Sequence, residues 1–156
     1  MCVHSATGTR YQQYLIEAGG ADMEKVYFSH MESPTDREGR TLPMQIDYII
    51  QTMEKGSLVS FNGYGFPLYL DPNQIQEMVT AIVERGYAHK FLLSMDTYWG
   101  YKDGKRQFMY EQHDPSVTRR TYPFLMTDAL PWLKSFGIPE EAIGRMLRDN
   151  VHKLFA

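Results

Sequence analysis

Two histidines and an aspartate each close a short apolar run. His4 follows Cys2-Val3, His30 follows Val26-Tyr27-Phe28-Ser29, and Asp96 follows Phe91-Leu92-Leu93-Ser94-Met95. Neutral imidazole and carboxylate together suit a divalent metal, with zinc as the first expectation and manganese, iron or cobalt as alternatives. A site that keeps an open position lowers the pKa of bound water to about 7, which makes a nucleophile near neutrality. The single cysteine, Cys2, permits no internal disulfide and is read as a packed residue of a first strand. That usage fits a reducing compartment, so a cytoplasmic location is the expectation.

The elements that must position these residues alternate along the chain. After His4, the segment Thr9 to Ala18 puts Tyr11, Tyr14, Leu15 and Ala18 on one helical face and ends at Gly19-Gly20. The run Val26 to Ser29 reads as a strand. A helix carrying Ile46, Ile49, Ile50 and Met53 follows a polar loop, Glu32 to Arg40, and leads to a strand over Leu58 to Phe61. The clearest helix spans Asp71 to Arg85, with Asp71 as N-cap, Pro72 at the first helical position and a stripe of Ile75, Met78, Val79, Ile82 and Val83. A strand over Phe91 to Met95 precedes two closing helices, Thr127 to Phe136 and Pro139 to Asn150. Pro131 is compatible only with the first turn or so of the former.

Short, continuously apolar strand runs imply burial on both faces and hence a parallel sheet covered by helices. Four βα units result, beginning near Cys2, Val26, Leu58 and Phe91. A closed (β/α)8 barrel has eight units and about 250 residues, so this α/β chain is half of one. A short doubly wound sheet is the alternative, but His4-Ser5-Ala6-Thr7-Gly8 is not a Gly-rich phosphate turn. At 156 residues and 43% hydrophobic, the chain can build one core and not two. A net charge of -3 implies neither nucleic acid nor an anionic membrane as partner. No apolar stretch approaches the ~20 residues of a membrane span, and the N-terminus has no signal-peptide pattern.

The segments Val3-His4, Val26 to His30 and Leu92 to Asp96, with the ending Gly137 to Glu141 and Arg148 to Phe155, resemble the C-terminal half of the phosphotriesterase-like family. That family belongs to the amidohydrolase superfamily of metal-dependent hydrolases. The resemblance implies the C-terminal half of a (β/α)8 TIM barrel: four parallel strands with covering helices, one partial domain from the fifth strand to the eighth helix. It implies that His4 and His30 are ligands to one metal. Asp96 would bind the other metal and take a proton from the bridging hydroxide as it attacks a lactone, carboxylic ester or organophosphate ester. Two metals belong to a complete barrel, and at most one is expected here. The family's first-strand His-x-His pair and fourth-strand carboxylated lysine have no counterpart, and Val151 stands where the family has proline.

The segment between Asp96 and the next helix is about thirty residues long, which points to a functional loop. In the family it helps form the substrate pocket, so Tyr98 and Trp99 are the expected substrate contacts. Asn62 joins them from the end of the third strand. His89, His113 and His152 occupy no equivalent position. The expected function is a metal-dependent hydrolase of small esters or lactones, here as a piece lacking the first-half ligands and inactive alone. Self-association or pairing with a missing N-terminal half is the expected partnership. The alternative is a catalytically inactive half-barrel module. Another branch of the superfamily, of deoxyribonuclease or deaminase type, fits the Ser94-Met95-Asp96-Thr97 context less well.

Overall fold

In the computed structural model, four parallel strands lie side by side in chain order: β1 (Cys2–His4), β2 (Tyr27–Ser29), β3 (Leu58–Phe61) and β4 (Phe91–Leu93). The structure describes residues 1–5, 8–34, 36–38, 40, 42, 45–64, 71–96, 99–108 and 123–156, with side chains described except at 72, 99–102 and 106–108. Helices α1 (Thr9–Ala18), α2 (Gln45–Glu54) and α3 (Pro72–Glu84) connect consecutive strands. Each strand-and-helix pair repeats the unit read from the sequence, and β3 begins and ends where the apolar run does.

Register explains the core. Val3 lies beside Phe28, Phe28 beside Val59 and Val59 beside Phe91, so these four point to one face, joined there by Phe61 and Leu93. They merge with Ile49, Ile50 and Met53 of α2 and Ile75, Val79 and Ile82 of α3 into one apolar cluster. The opposite face meets the expectation of burial on both sides at β3 and β4, where Leu58, Ser60 and Leu92 are buried, and departs from it at β1. It carries Cys2, His4, Tyr27, Ser29 and Ser60, with Cys2 and His4 exposed. Three- and four-residue strands are too short for period-two alternation to stand out, which is why the runs looked uniformly apolar. The exposed Cys2 is likewise not the packed residue its type suggested. This face therefore mixes hydroxyls and an imidazole with the apolar Leu58 and Leu92.

α3 begins as the sequence requires. The Asp71 carboxylate accepts the Asn73 N–H at 2.8 Å, and Gln74 reaches back to the Asp71 N–H at 3.3 Å to complete a capping box. α1 departs from its pattern. Tyr11, Tyr14 and Leu15 are exposed, whereas Thr9 and Gln13 are buried. The helix is held by polar contacts: the Thr9 hydroxyl donates to the Ser5 carbonyl at 2.8 Å, and Gln13 Oε1 accepts from Tyr48 at 2.5 Å and Thr52 at 3.3 Å.

Burial pushes the Tyr48 hydroxyl up to about 12 from its ordinary value of 10.0. A group whose pKa is raised on folding contributes stability fully present below its unfolded value and lost as pH rises through its folded one. Folding is therefore expected to weaken between pH 10 and 12, by roughly 2–3 kcal/mol from this residue. Urea midpoints at pH 8 and pH 11 measure it. Tyr48→Phe should flatten the decline, and an equally steep decline in the variant would assign the loss elsewhere.

The long segment after Asp96 is not featureless. β5 (Trp99–Lys102) and β6 (Lys105–Phe108) form an antiparallel hairpin, with Lys102 opposite Lys105. Asp103 and Gly104 turn it with φ of 53° and 73°, the two left-handed residues of a type I′ turn. The Asp-Gly dipeptide was the signal for it.

The closing helices also differ from expectation. A π-helical turn over Leu125–Ala129 leads into α4 (Leu130–Ser135), and the Leu130 N–H bonds to the Leu125 carbonyl. Pro131, which has no N–H and crowds the preceding turn, thus sits at the start of the α-helical part. α5 (Glu140–Gly144) continues through a π-helical turn, Arg145–Asp149, into α6 (Asn150–Phe155). The helix passes Asn150 because Val151 retains its N–H and nothing stops the backbone pattern there. Among the described residues, no helix is long and apolar enough to cross a membrane.

Candidate metal centre

The carboxyl ends of the strands bring two of the expected ligands together. His4 is the last residue of β1, and His30 follows the last residue of β2, beside it in register. Their ring centroids are 4.4 Å apart and the planes tilt by 48°. Neighbouring strands fix both backbones. The Ser5 N–H bonds to the Ser29 carbonyl at 3.1 Å, and the Met31 N–H crosses to the Ser60 carbonyl at 3.0 Å. Between those two anchors His30 takes a left-handed φ of 60°. Asp96, three residues beyond β4, does the same at 50°. Non-glycine residues hold this conformation only where their surroundings over-determine it, and such residues cluster at functional sites.

Below the imidazoles runs a chain of polar groups that sequence reasoning did not find. The Ser60 hydroxyl donates to Asn62 Oδ1 at 2.5 Å, and Tyr27 lies 2.6 Å from Ser60 Oγ. Since Ser60 has one proton and gives it to Asn62, Tyr27 must donate to Ser60. Burial pushes the Tyr27 hydroxyl above the ordinary tyrosine range, with the Ser60 bond opposing it in part. The Asn62 backbone N–H then points at Glu32, 3.3 and 3.2 Å from its two carboxylate oxygens.

Glu32 is the residue that the sequence hid. It begins what reads from the sequence only as a polar loop, yet it is only 2% exposed. Its Oε1 lies 3.7 Å from His30 Nδ1, and a Cβ added to Gly63 would come within 2.9 Å of that same oxygen. Tyr64 packs nearby. Burial first, and the charge of Glu32 second, hold its hydroxyl well above the usual tyrosine range, while it donates to Gln76 at 3.0 Å. No local spacing signals it, since His30 is left-handed and Met31 and Glu32 form a turn.

Two imidazoles side by side at strand ends, above a buried carboxylate, fit two positions of a divalent cation's coordination sphere. Among the described residues, no three His, Cys, Asp or Glu side chains gather into a complete metal-holding group. Asp96, beyond the end of β4, is not gathered with His4 and His30 into such a group. Asn62 is buried at the end of β3, its Oδ1 accepting from Ser60 and its side chain also reaching the Tyr27 hydroxyl. Tyr98 and the side chain of Trp99 lie outside the described residues. A cavity of about 610 Å³ opens at the opposite, amino end of the sheet, against Met1, Cys2, Tyr27, Leu58 and Phe155, and is not lined by His4, His30, Glu32, Asn62 or Asp96.

Known proteins carry the same arrangement of elements. The model of the phosphotriesterase family matches residues 1–155. An aryldialkylphosphatase of Saccharolobus solfataricus is 29% identical over 154 residues, 98% of this chain and 45% of its own. A phosphotriesterase homology protein of Mycobacterium tuberculosis is 25% identical over 155 residues, 97% of this chain and 44% of its own. The solved organophosphorus hydrolase of Deinococcus radiodurans superposes with a TM-score of 0.75 at 25% identity, over 97% of this chain and 44% of that one. The chain thus spans a little under half the length of the relatives it matches.

Proposed function

Since the chain belongs to the phosphotriesterase family, we propose that it supplies the His4–His30 side of a metal-dependent hydrolase acting on a lactone, carboxylic ester or organophosphate ester. The 4.4 Å approach of the two imidazoles at neighbouring strand ends carries the reading. The matched aryldialkylphosphatase and organophosphorus hydrolase support the substrate class by their names. His4 and His30 would hold one metal, zinc first, through neutral ring nitrogens. That ion, when bound, supplies Lewis-acid polarisation and a lowered pKa for its water. Asp96 is the proton acceptor of this reading, and its left-handed backbone supports the assignment. Asn62 offers its amide N–H2 to a substrate oxygen, with Tyr98 and Trp99 as the further contacts expected from the loop. A free, exposed Cys2 accords with a reducing, cytoplasmic setting.

Titrating the full chain with zinc tests the ligand pair. About one ion should bind, weakly, and His4→Ala or His30→Ala should each remove that binding with the fold intact by circular dichroism. Little or no lactone or phosphotriester turnover is expected from the chain alone, because two ligands leave the coordination sphere incomplete. Unchanged zinc affinity in both variants would end the assignment, and tight binding of two ions with normal turnover would end the incomplete-centre reading.

A further inference from the structure

A buried carboxylate must be compensated by donors or by a cation, because leaving it bare costs several kcal/mol. Among the described residues, Glu32, at 2% exposed, has one backbone N–H shared between its two oxygens and no lysine or arginine in ion-pair contact. The chargeable group that faces it among these residues is the His30 ring, at 3.7 Å from Nδ1. That distance lies in ion-pair range and just outside hydrogen-bond range. Space for that carboxylate oxygen depends on a missing atom. Gly63 has no Cβ where one would press on the oxygen that faces His30.

Resting on the ligand reading above, we propose that Glu32 is the positioning residue of His30: its carboxylate claims the Nδ1 proton and so presents Nε2 as the nitrogen that faces a metal. The chemistry favours this direction. An ionised carboxylate only accepts, so its field at 3.7 Å favours hydrogen on the ring nitrogen turned toward it, and the other nitrogen then keeps its lone pair. Metal-bound histidines commonly hold such a partner, which fixes tautomer and ring orientation. Asn62 takes part through its backbone N–H, which pins the carboxylate from the far side.

The full chain tests this without metal. Long-range 1H–15N NMR of the His30 ring should show the Nδ1–H tautomer in the wild-type chain. Glu32→Gln keeps the shape and the acceptor for the Asn62 N–H but turns an N–H2 toward Nδ1, so the ring should switch to the Nε2–H form. A wild-type ring in the Nε2–H form, or an unchanged tautomer in Glu32→Gln, overturns the proposal. If Glu32→Gln fails to fold, Gly63→Ala displaces the same oxygen on an undisturbed backbone and should erode the Nδ1–H preference; an unchanged preference overturns the proposal equally. Zinc competition against a chelating dye is the second readout, with a 10–100-fold loss expected in either variant. A wild-type chain that takes up no zinc defeats the ligand reading, and the tautomer still judges Glu32 by itself.

Discussion

Asn150→Asp is expected to destabilise the chain by about 3–5 kcal/mol, comparable with breaking a buried charged pair. The side chain is fully buried, and its amide Nδ2 donates to two carbonyls, Ala88 and Phe91, each at 2.7 Å. These bonds tie α6 to the turn that launches β4. Aspartate matches asparagine in size but brings a carboxylate oxygen against two carbonyl oxygens, with no water to separate them. The result is desolvation and repulsion where there had been two donors. Asn150→Ala removes the donors without adding charge and should cost less, about 2–4 kcal/mol. Acidification should narrow the gap between the two variants, because a buried, unpaired carboxyl titrates upward and its neutral form regains one donor. Urea unfolding at pH 7 and pH 4.5 reads both effects. Equal midpoints for Asn150→Asp and wild type at pH 7 would mean that the two carbonyl contacts contribute nothing.

Phe61→Ala should cost a similar amount, about 3–5 kcal/mol, out of a total that for a domain of ordinary stability is roughly 5–15. Its ring is fully buried and meets Phe91 edge to face, centroids 4.7 Å apart at 82°. The pair joins the last two strands of the sheet on the face that packs against helices. Removing the ring leaves a void that close-packed neighbours fill only in part. Consequences reach the rim as well. Phe61 precedes Asn62, and its carbonyl accepts the Ser94 N–H at 2.8 Å, which guides the chain toward Asp96. A urea midpoint that falls with an unchanged m-value is the expected signature. Phe61→Leu, closer in volume, should lose far less. A shift of under about 1 kcal/mol for Phe61→Ala would show that the core is not continuous across β3 and β4.

Much of the scaffold was legible because its signals are local. The Asp71-Pro72 start of α3, the stripe behind it and the bounds of β3 each depend on a few neighbouring residues, and each recurs in the structure. The Asp103-Gly104 hairpin was just as local and was passed over, since a thirty-residue gap between stronger elements was read as one loop. α1 failed for a different reason. A stripe of Tyr11, Tyr14 and Leu15 defines an apolar side but cannot say what covers it, and Gln13 is the residue that docks. His4 and His30 were recognisable because strand-end position and residue type coincide. Glu32 was not, because its burial is created by Asn62 and Gly63, thirty residues away in sequence, returning alongside it. Whether Asp96 gathers with the pair depends on how four strands assemble, which no local pattern encodes.

The positive φ angles of His30 and Asp96 bear on how this chain could be altered. Glycine occupies such backbone without a Cβ penalty, and strain of this kind costs of order 1–3 kcal/mol per residue. Stability-guided engineering, scoring substitutions by folding free energy alone, would therefore be drawn to glycine at these two positions. It would strip away the proposed metal donor and the proposed proton acceptor while reporting an improvement. The rim is thus the region where thermostability and chemistry pull in opposite directions, and a stabilised variant should be sought in the helices, with both residues held fixed.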